Sequence, residues 1–129
     1  MRFNILCDAD WDSKVDKVLD DFSDFGYRKI FEENNYGNSL TGITVIFICR
    51  DTKYNFKQRI RKSKKEKKIY LDIMLDLDQF MQIEQREKER IIAKKLISEV
   101  IPIIAKYKFN DFNIEKFETD IKKSFSKFL

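Results

Sequence analysis

The fold is decided by residues 76–107, DLDQFMQIEQREKERIIAKKLISEVIPIIAKY. The stretch opens polar and becomes a long helical segment in which Ile91, Ile92, Leu96, Ile97, Val100, Ile101, Ile103 and Ile104 leave little surface for water. A helix that apolar must be covered by other elements. Lys94, Lys95 and Glu99 interrupt it. They exclude a membrane span, which needs about 20 mostly apolar residues. Pro102 removes one backbone donor and crowds the carbonyl of Ser98, predicting a kink or a break and restart. The remaining chain is expected to supply what covers this helix.

Upstream, residues 2–7 alternate, with Phe3, Ile5 and Cys7 on one face and Arg2, Asn4 and Leu6 on the other. That period predicts a first strand. Asp10 or Asp12 can cap a following helix whose Trp11, Val15, Val18, Leu19, Phe22 and Phe25 form one apolar stripe, with Gly26 just past its end. Residues 27–32 are read as a second strand, and 34–42, rich in turn formers, as a hairpin loop. The continuous apolar run 43–49 reads as a central strand. Residues 56–68 fit an edge strand, a short helix or an exposed loop equally well. Residues 69–75 alternate again, with Ile69, Leu71, Ile73 and Leu75 inward, and are expected to form an antiparallel strand. Asn113 can cap a last helix with Phe117, Ile121, Phe125 and Phe128 on one face.

The order predicts an α+β fold, a small mostly antiparallel sheet of three to five strands with helices packed on one side. At 129 residues with a single proline, residues 1–129 form one domain. The chain is 43% hydrophobic and has 12 phenylalanines, a globular composition. No basic region followed by an apolar run opens the sequence, so no secretory signal is expected. Cys7 and Cys49 are expected to be reduced core thiols of a cytoplasmic protein, with a disulfide or redox pair as the alternative.

The net charge of +4 conceals an asymmetry: residues 1–50 carry 6 basic and 9 acidic side chains, and residues 51–68 carry 9 and 2. The basic run holds Lys57, Arg59, Arg61, Lys62, Lys64, Lys65, Lys67 and Lys68. A nucleic-acid surface is one reading, because clustered cations release phosphate counterions. The run lacks the interleaved aromatics that would stack on bases, so a solvated segment guarding a sheet edge is the simpler one. In the first helix, Asp12, Asp16, Asp20 and Asp24 recur every fourth residue, with Asp21 beside them. Each like-charge pair at that spacing costs about 0.2–0.5 kcal/mol. A basic partner would account for retaining them, by steering association; an ordinary solubilising face relieved by Lys14 and Lys17 is the alternative.

Catalytic candidates are few. The chain has no histidine, which removes the commonest general base and metal ligand. It has no Gly-rich phosphate loop and no cysteine pair at metal spacing. Asp72, Asp76 and Asp78 could be weighed as a Mg²⁺ site, but a solvated strand face followed by a helix cap explains them. No cofactor, no metal and no enzymatic activity are expected.

Several short motifs in a fixed order carry a resemblance. They are Asn35-Tyr36-Gly37, then Val45-Ile46-Phe47-Ile48, then the basic run leading into Ile69-Tyr70-Leu71-Asp72-Ile73, the long helix, and Lys108-Phe109-Asn110-Asp111-Phe112-Asn113-Ile114 with Phe117-Glu118 and Asp120-Ile121. In these the chain resembles a family of small immunity proteins of bacterial polymorphic toxin and contact-dependent growth inhibition systems. The resemblance implies a cytoplasmic, non-enzymatic protein that binds a cognate toxin C-terminal domain, often a nuclease, and blocks its active site or substrate access. On that reading Trp11, Asp12, Asp16, Asp20, Asp21 and Asp24 are the first candidates for toxin contact, followed by Asn35, Tyr36 and Asn38. A small nucleic-acid-binding protein using the basic run is the alternative.

Overall fold

A computed structural model describes residues 1–9, 27–63 and 65–129. The first helix expected from sequence, with Trp11 and the acidic row, lies outside the described residues, as does Lys64. Four strands, β1 (Arg2–Ala9), β2 (Gly42–Arg50), β3 (Ile60–Ser63) and β4 (Lys68–Asp76), form one sheet in the order β1-β2-β4-β3. The described helices are α1 (Tyr27–Glu33), α2 (Leu77–Phe80), α3 (Gln85–Lys106) and α4 (Ile114–Phe125), with a 3₁₀ turn at Ser126–Phe128. The α+β class holds.

The strand directions correct the expected antiparallel sheet. β1 runs parallel to β2, β2 runs parallel to β4, and only β3 is antiparallel to its neighbour β4. Residues 27–33 are helix, not strand. A run as short as YRKIFE has no period long enough to separate the two. Burial decides, because α1 sets Phe31 against Phe3, ring centroids 4.6 Å apart. With a helix there, the chain returns to the sheet by a crossover, and a crossover joins parallel strands. Residues 34–41 are therefore the return loop of that crossover rather than a hairpin turn. The undecided segment 56–68 supplies the short edge strand β3, consistent with the charge that guards an exposed edge.

The sheet's alternation places Ile69, Leu71, Ile73 and Leu75 in the core, joined there by Phe3, Val45 and Phe47. The helices bring Phe31, Ile92, Leu96, Val100, Phe117, Ile121 and Phe125 to the same face. β2 is central, as its unbroken apolar run requires. α4 is capped by the Asn113 side chain, which accepts from the Lys116 amide at 3.1 Å. The Cys7 and Cys49 sulfurs lie 3.2 Å apart on neighbouring strands, as thiols.

The long helix is less wrapped than its composition suggests. α3 runs unbroken through Pro102. Ser98 and Pro102 both lie on its exposed side, so water can serve the Ser98 carbonyl left without a donor. Ile92, Ala93, Leu96, Val100 and Ile104 are buried, whereas Ile91, Ile97, Ile101 and Ile103 flank them half-buried. Ile101, expected inside, is on that flank. Truncating Ile104 to Ala should cost about 2–5 kcal/mol, and truncating Ile101 about 1–2 kcal/mol, in denaturant unfolding. Equal losses would mean that α3 is covered on both sides. No helix of the described residues is long and apolar enough to cross a membrane.

Candidate functional site

Two sequence-distant motifs meet at one end of the molecule. The Asn35–Asn38 loop packs against residues 108–113. Tyr36 is 1% exposed, and its ring lies 5.3 Å from that of Phe117. Its hydroxyl donates to Asp120, and its carbonyl accepts from the Asn113 amide at 2.6 Å. Gly37 has φ +125°, and a Cβ there would meet the Asp111 carbonyl oxygen at 1.9 Å. Glycine is thus required twice, by conformation and by space. Asp111 itself takes φ 52° and Lys108 φ 46°. The Asp111 carboxylate accepts from the Asn38 amide at 2.9 Å, and the Ser39 hydroxyl donates to the Asp111 carbonyl at 3.1 Å. Left-handed conformations at non-glycine residues persist only where surrounding bonds hold them. These bonds hold Asp111, and they tie the two loops into one platform.

A third loop joins the platform. The Thr41 amide donates to the Lys67 carbonyl and its hydroxyl to the Glu66 carbonyl, both at 2.8 Å. Of the three loop residues singled out by sequence, Asn35 and Asn38 have exposed side chains, whereas Tyr36 is a strut of the platform. Sequence reasoning did not pair this loop with Asp111. The Asn110-Asp111 turn signal was visible, but its partner lies more than 70 residues upstream.

Burial, and then the hydrogen bond to Asp120, hold the Tyr36 hydroxyl above the ordinary tyrosine range. The folded protein therefore keeps this proton while the unfolded chain releases it near pH ~10. The contribution is fully present below that pH and is lost as pH rises above it. Denaturant unfolding between pH 9 and pH 11.5 should show a steeper loss in the wild type than in Tyr36→Phe; parallel profiles would contradict this role.

The basic run is divided among three tasks. Arg59 and Arg61 pair with the buried Asp72 at 2.9 and 3.0 Å. Lys62 lies 4.6 Å from the Phe109 ring centroid. Lys57, Lys65 and Lys67 are exposed, and Lys68 opens β4 half-buried, its ammonium 3.9 Å from Glu66. Asp72, outward on β4 as its parity requires, is nonetheless 3% exposed, because the two arginines shield it.

The other two carboxylates have separate duties. Asp76 caps α2, accepting from the Asp78 amide at 3.0 Å. Asp78 accepts from the Thr52 amide at 3.0 Å and its hydroxyl at 2.8 Å. The Thr52 amide, then its hydroxyl, hold the Asp78 carboxyl below the usual range. No three ligating side chains that could hold a metal converge among the described residues. Among the described residues, the parallel strands β1, β2 and β4 follow in chain order, without the reversal that opens a ligand crevice in α/β folds.

A family model described as immunity protein 44 matches residues 1–127. No curated protein and no solved structure matches the chain.

Proposed function

Since the chain belongs to the immunity protein 44 family, we propose that it neutralises a cognate bacterial toxin domain by forming a stoichiometric complex with it. The family match along nearly the whole chain carries this reading. The toxin is proposed to be the C-terminal domain of a polymorphic or contact-dependent growth inhibition system, acting as a nuclease in the cytoplasm. The chain acts by occupying the toxin rather than by chemistry, in keeping with a sequence that has no histidine.

The acidic row is proposed to meet the toxin first. In the sequence, Trp11 is followed by Asp12, Asp16, Asp20 and Asp24 at every fourth position with Asp21 beside Asp20, a pattern that suits a nuclease that is itself basic. Asn35 and Asn38 add adaptable hydrogen-bonding groups from the platform, and Tyr36 sets their position.

Changing Asp16, Asp20 and Asp24 to Asn should leave the fold intact or slightly more stable, because it removes repulsion between turns. Association with the toxin domain should slow and lose salt dependence, since exposed charges act mainly on encounter. Stopped-flow rates at two salt concentrations test this; unchanged association rates would remove the acidic row from the toxin face.

A further inference from the structure

The basic run has no aromatic residue between Lys57 and Lys68, and the fold brings two to it from elsewhere. The β3–β4 register sets Lys62 opposite Ile69. The chain leaving α3 runs past this point. The Lys62 ammonium lies 4.6 Å from the ring centroid of Phe109 and 5.9 Å from that of Tyr107. Tyr107 is 40% exposed, and Phe109 is half-buried. Beside them a groove of about 250 Å³ is lined by Leu40, Lys62, Lys67, Lys68, Ile69 and Phe109.

The turn between β3 and β4 is tied down next to this groove. Lys67 takes φ 54°, a left-handed conformation that a lysine keeps only where other bonds hold it. The Thr41 amide and hydroxyl both donate to the Lys67 carbonyl, at 2.8 and 3.3 Å.

The charge here is open. Arg59 and Arg61 are taken up by Asp72, so the cations left for a ligand are lysines. Lys62, Lys65 and Lys67 are exposed and pair with no carboxylate among the described residues. Lys68 has Glu66 at 3.9 Å, and the Asp111 carboxylate is engaged by the Asn38 amide. Four ammonium groups against these two carboxylates leave a positive excess. A lysine ammonium binds phosphate as a point charge. An exposed aromatic ring gives an unpaired base a face to stack on. The basic toxin proposed above would be repelled by this surface.

We propose that this surface binds single-stranded nucleic acid, with Lys62, Lys65 and Lys67 taking backbone phosphates and Tyr107 stacking on a base. This is a second function beside toxin neutralisation, and neither depends on the other.

The test is fluorescence anisotropy of the purified chain with labelled twelve-nucleotide oligouridylate and oligothymidylate, and with a duplex of the same length. At least one single strand should bind more tightly than the duplex, whose bases are already stacked. Its affinity should fall about 20-fold between about 50 and 200 mM salt, as three neutralised phosphates require. The combined variant Lys62→Gln, Lys65→Gln, Lys67→Gln should lose most of the affinity and nearly all of the salt dependence. Tyr107→Ala should weaken single-strand binding about fivefold or more with the salt dependence unchanged, and Tyr107→Phe should bind as the wild type. All four side chains are exposed, so the variants should melt as the wild type does. Absence of binding to both single strands at about 50 mM salt would overturn the proposal. So would wild-type affinity in the triple variant or in Tyr107→Ala, or duplex binding as tight as single-strand binding. If no oligonucleotide binds and the triple variant instead loses the toxin domain, the surface belongs to the protein partner.

Discussion

Phe117→Ala should destabilise the protein by about 3–5 kcal/mol. Phe117 is fully buried, and its ring lies within 5.3–5.9 Å of those of Tyr36, Phe31, Phe112 and Phe3. These neighbours come from the platform loop, α1, the segment before α4, and β1. One truncation therefore opens a cavity where four parts of the chain converge. A domain of this size is stable by only about 5–15 kcal/mol. The melting temperature should accordingly fall by on the order of 10–20 °C. Phe117→Leu should recover part of the loss, because it refills most of the volume. A shift below about 3 °C in Phe117→Ala would show that the aromatic cluster is not the keystone of the core.

The parts of the fold that were legible in the sequence are those with enough residues to show a period. β4 declared its inward face through Ile69, Leu71, Ile73 and Leu75, and α4 declared its face through Phe117, Ile121 and Phe125. Both faces are buried as read, except that Phe128, expected on the α4 face, lies half-buried in the 3₁₀ turn beyond the helix. The direction of the strands was not legible, because it depends on what lies between them. Taking residues 27–32 for a strand made an antiparallel hairpin the natural connection; one short helix there reverses the inference. Ile101 was misplaced for a related reason. When a helix carries isoleucine on its flanks as well as its centre, composition does not say which side meets the sheet.

The candidate surfaces show the same division. Asn35 and Asn38 were found from turn chemistry and are exposed. Tyr36 was grouped with them, although its ring belongs to the core. The acidic row was visible as a spacing of four and lies outside the described residues. Arg59 and Arg61 were visible only as members of a basic run. Their pairing with Asp72 needs the β3–β4 register, which sets Ile60 opposite Leu71, and no local pattern reports it.

The largest functional effect is expected from the toxin itself. On the proposed function, cells producing the cognate toxin domain should stop growing, and co-production of this chain should restore growth to that of toxin-free cells. The recovery requires that nearly all of the toxin be bound at the concentration of chain in the cell, so it reports affinity rather than encounter alone. A variant folded like the wild type but lacking the contact surface should fail to protect. This contrast separates loss of binding from loss of stability, which Phe117→Ala would confound.

The most direct measurement titrates the purified toxin domain with the purified chain and follows residual toxin activity together with heat of binding. Stoichiometric neutralisation predicts that activity falls linearly to zero at equimolar chain, with the binding heat saturating at the same ratio. Toxin activity that survives an excess of chain would contradict the account, as would complete inactivation by a small fraction of an equivalent, which would mark the chain as a catalyst acting on the toxin.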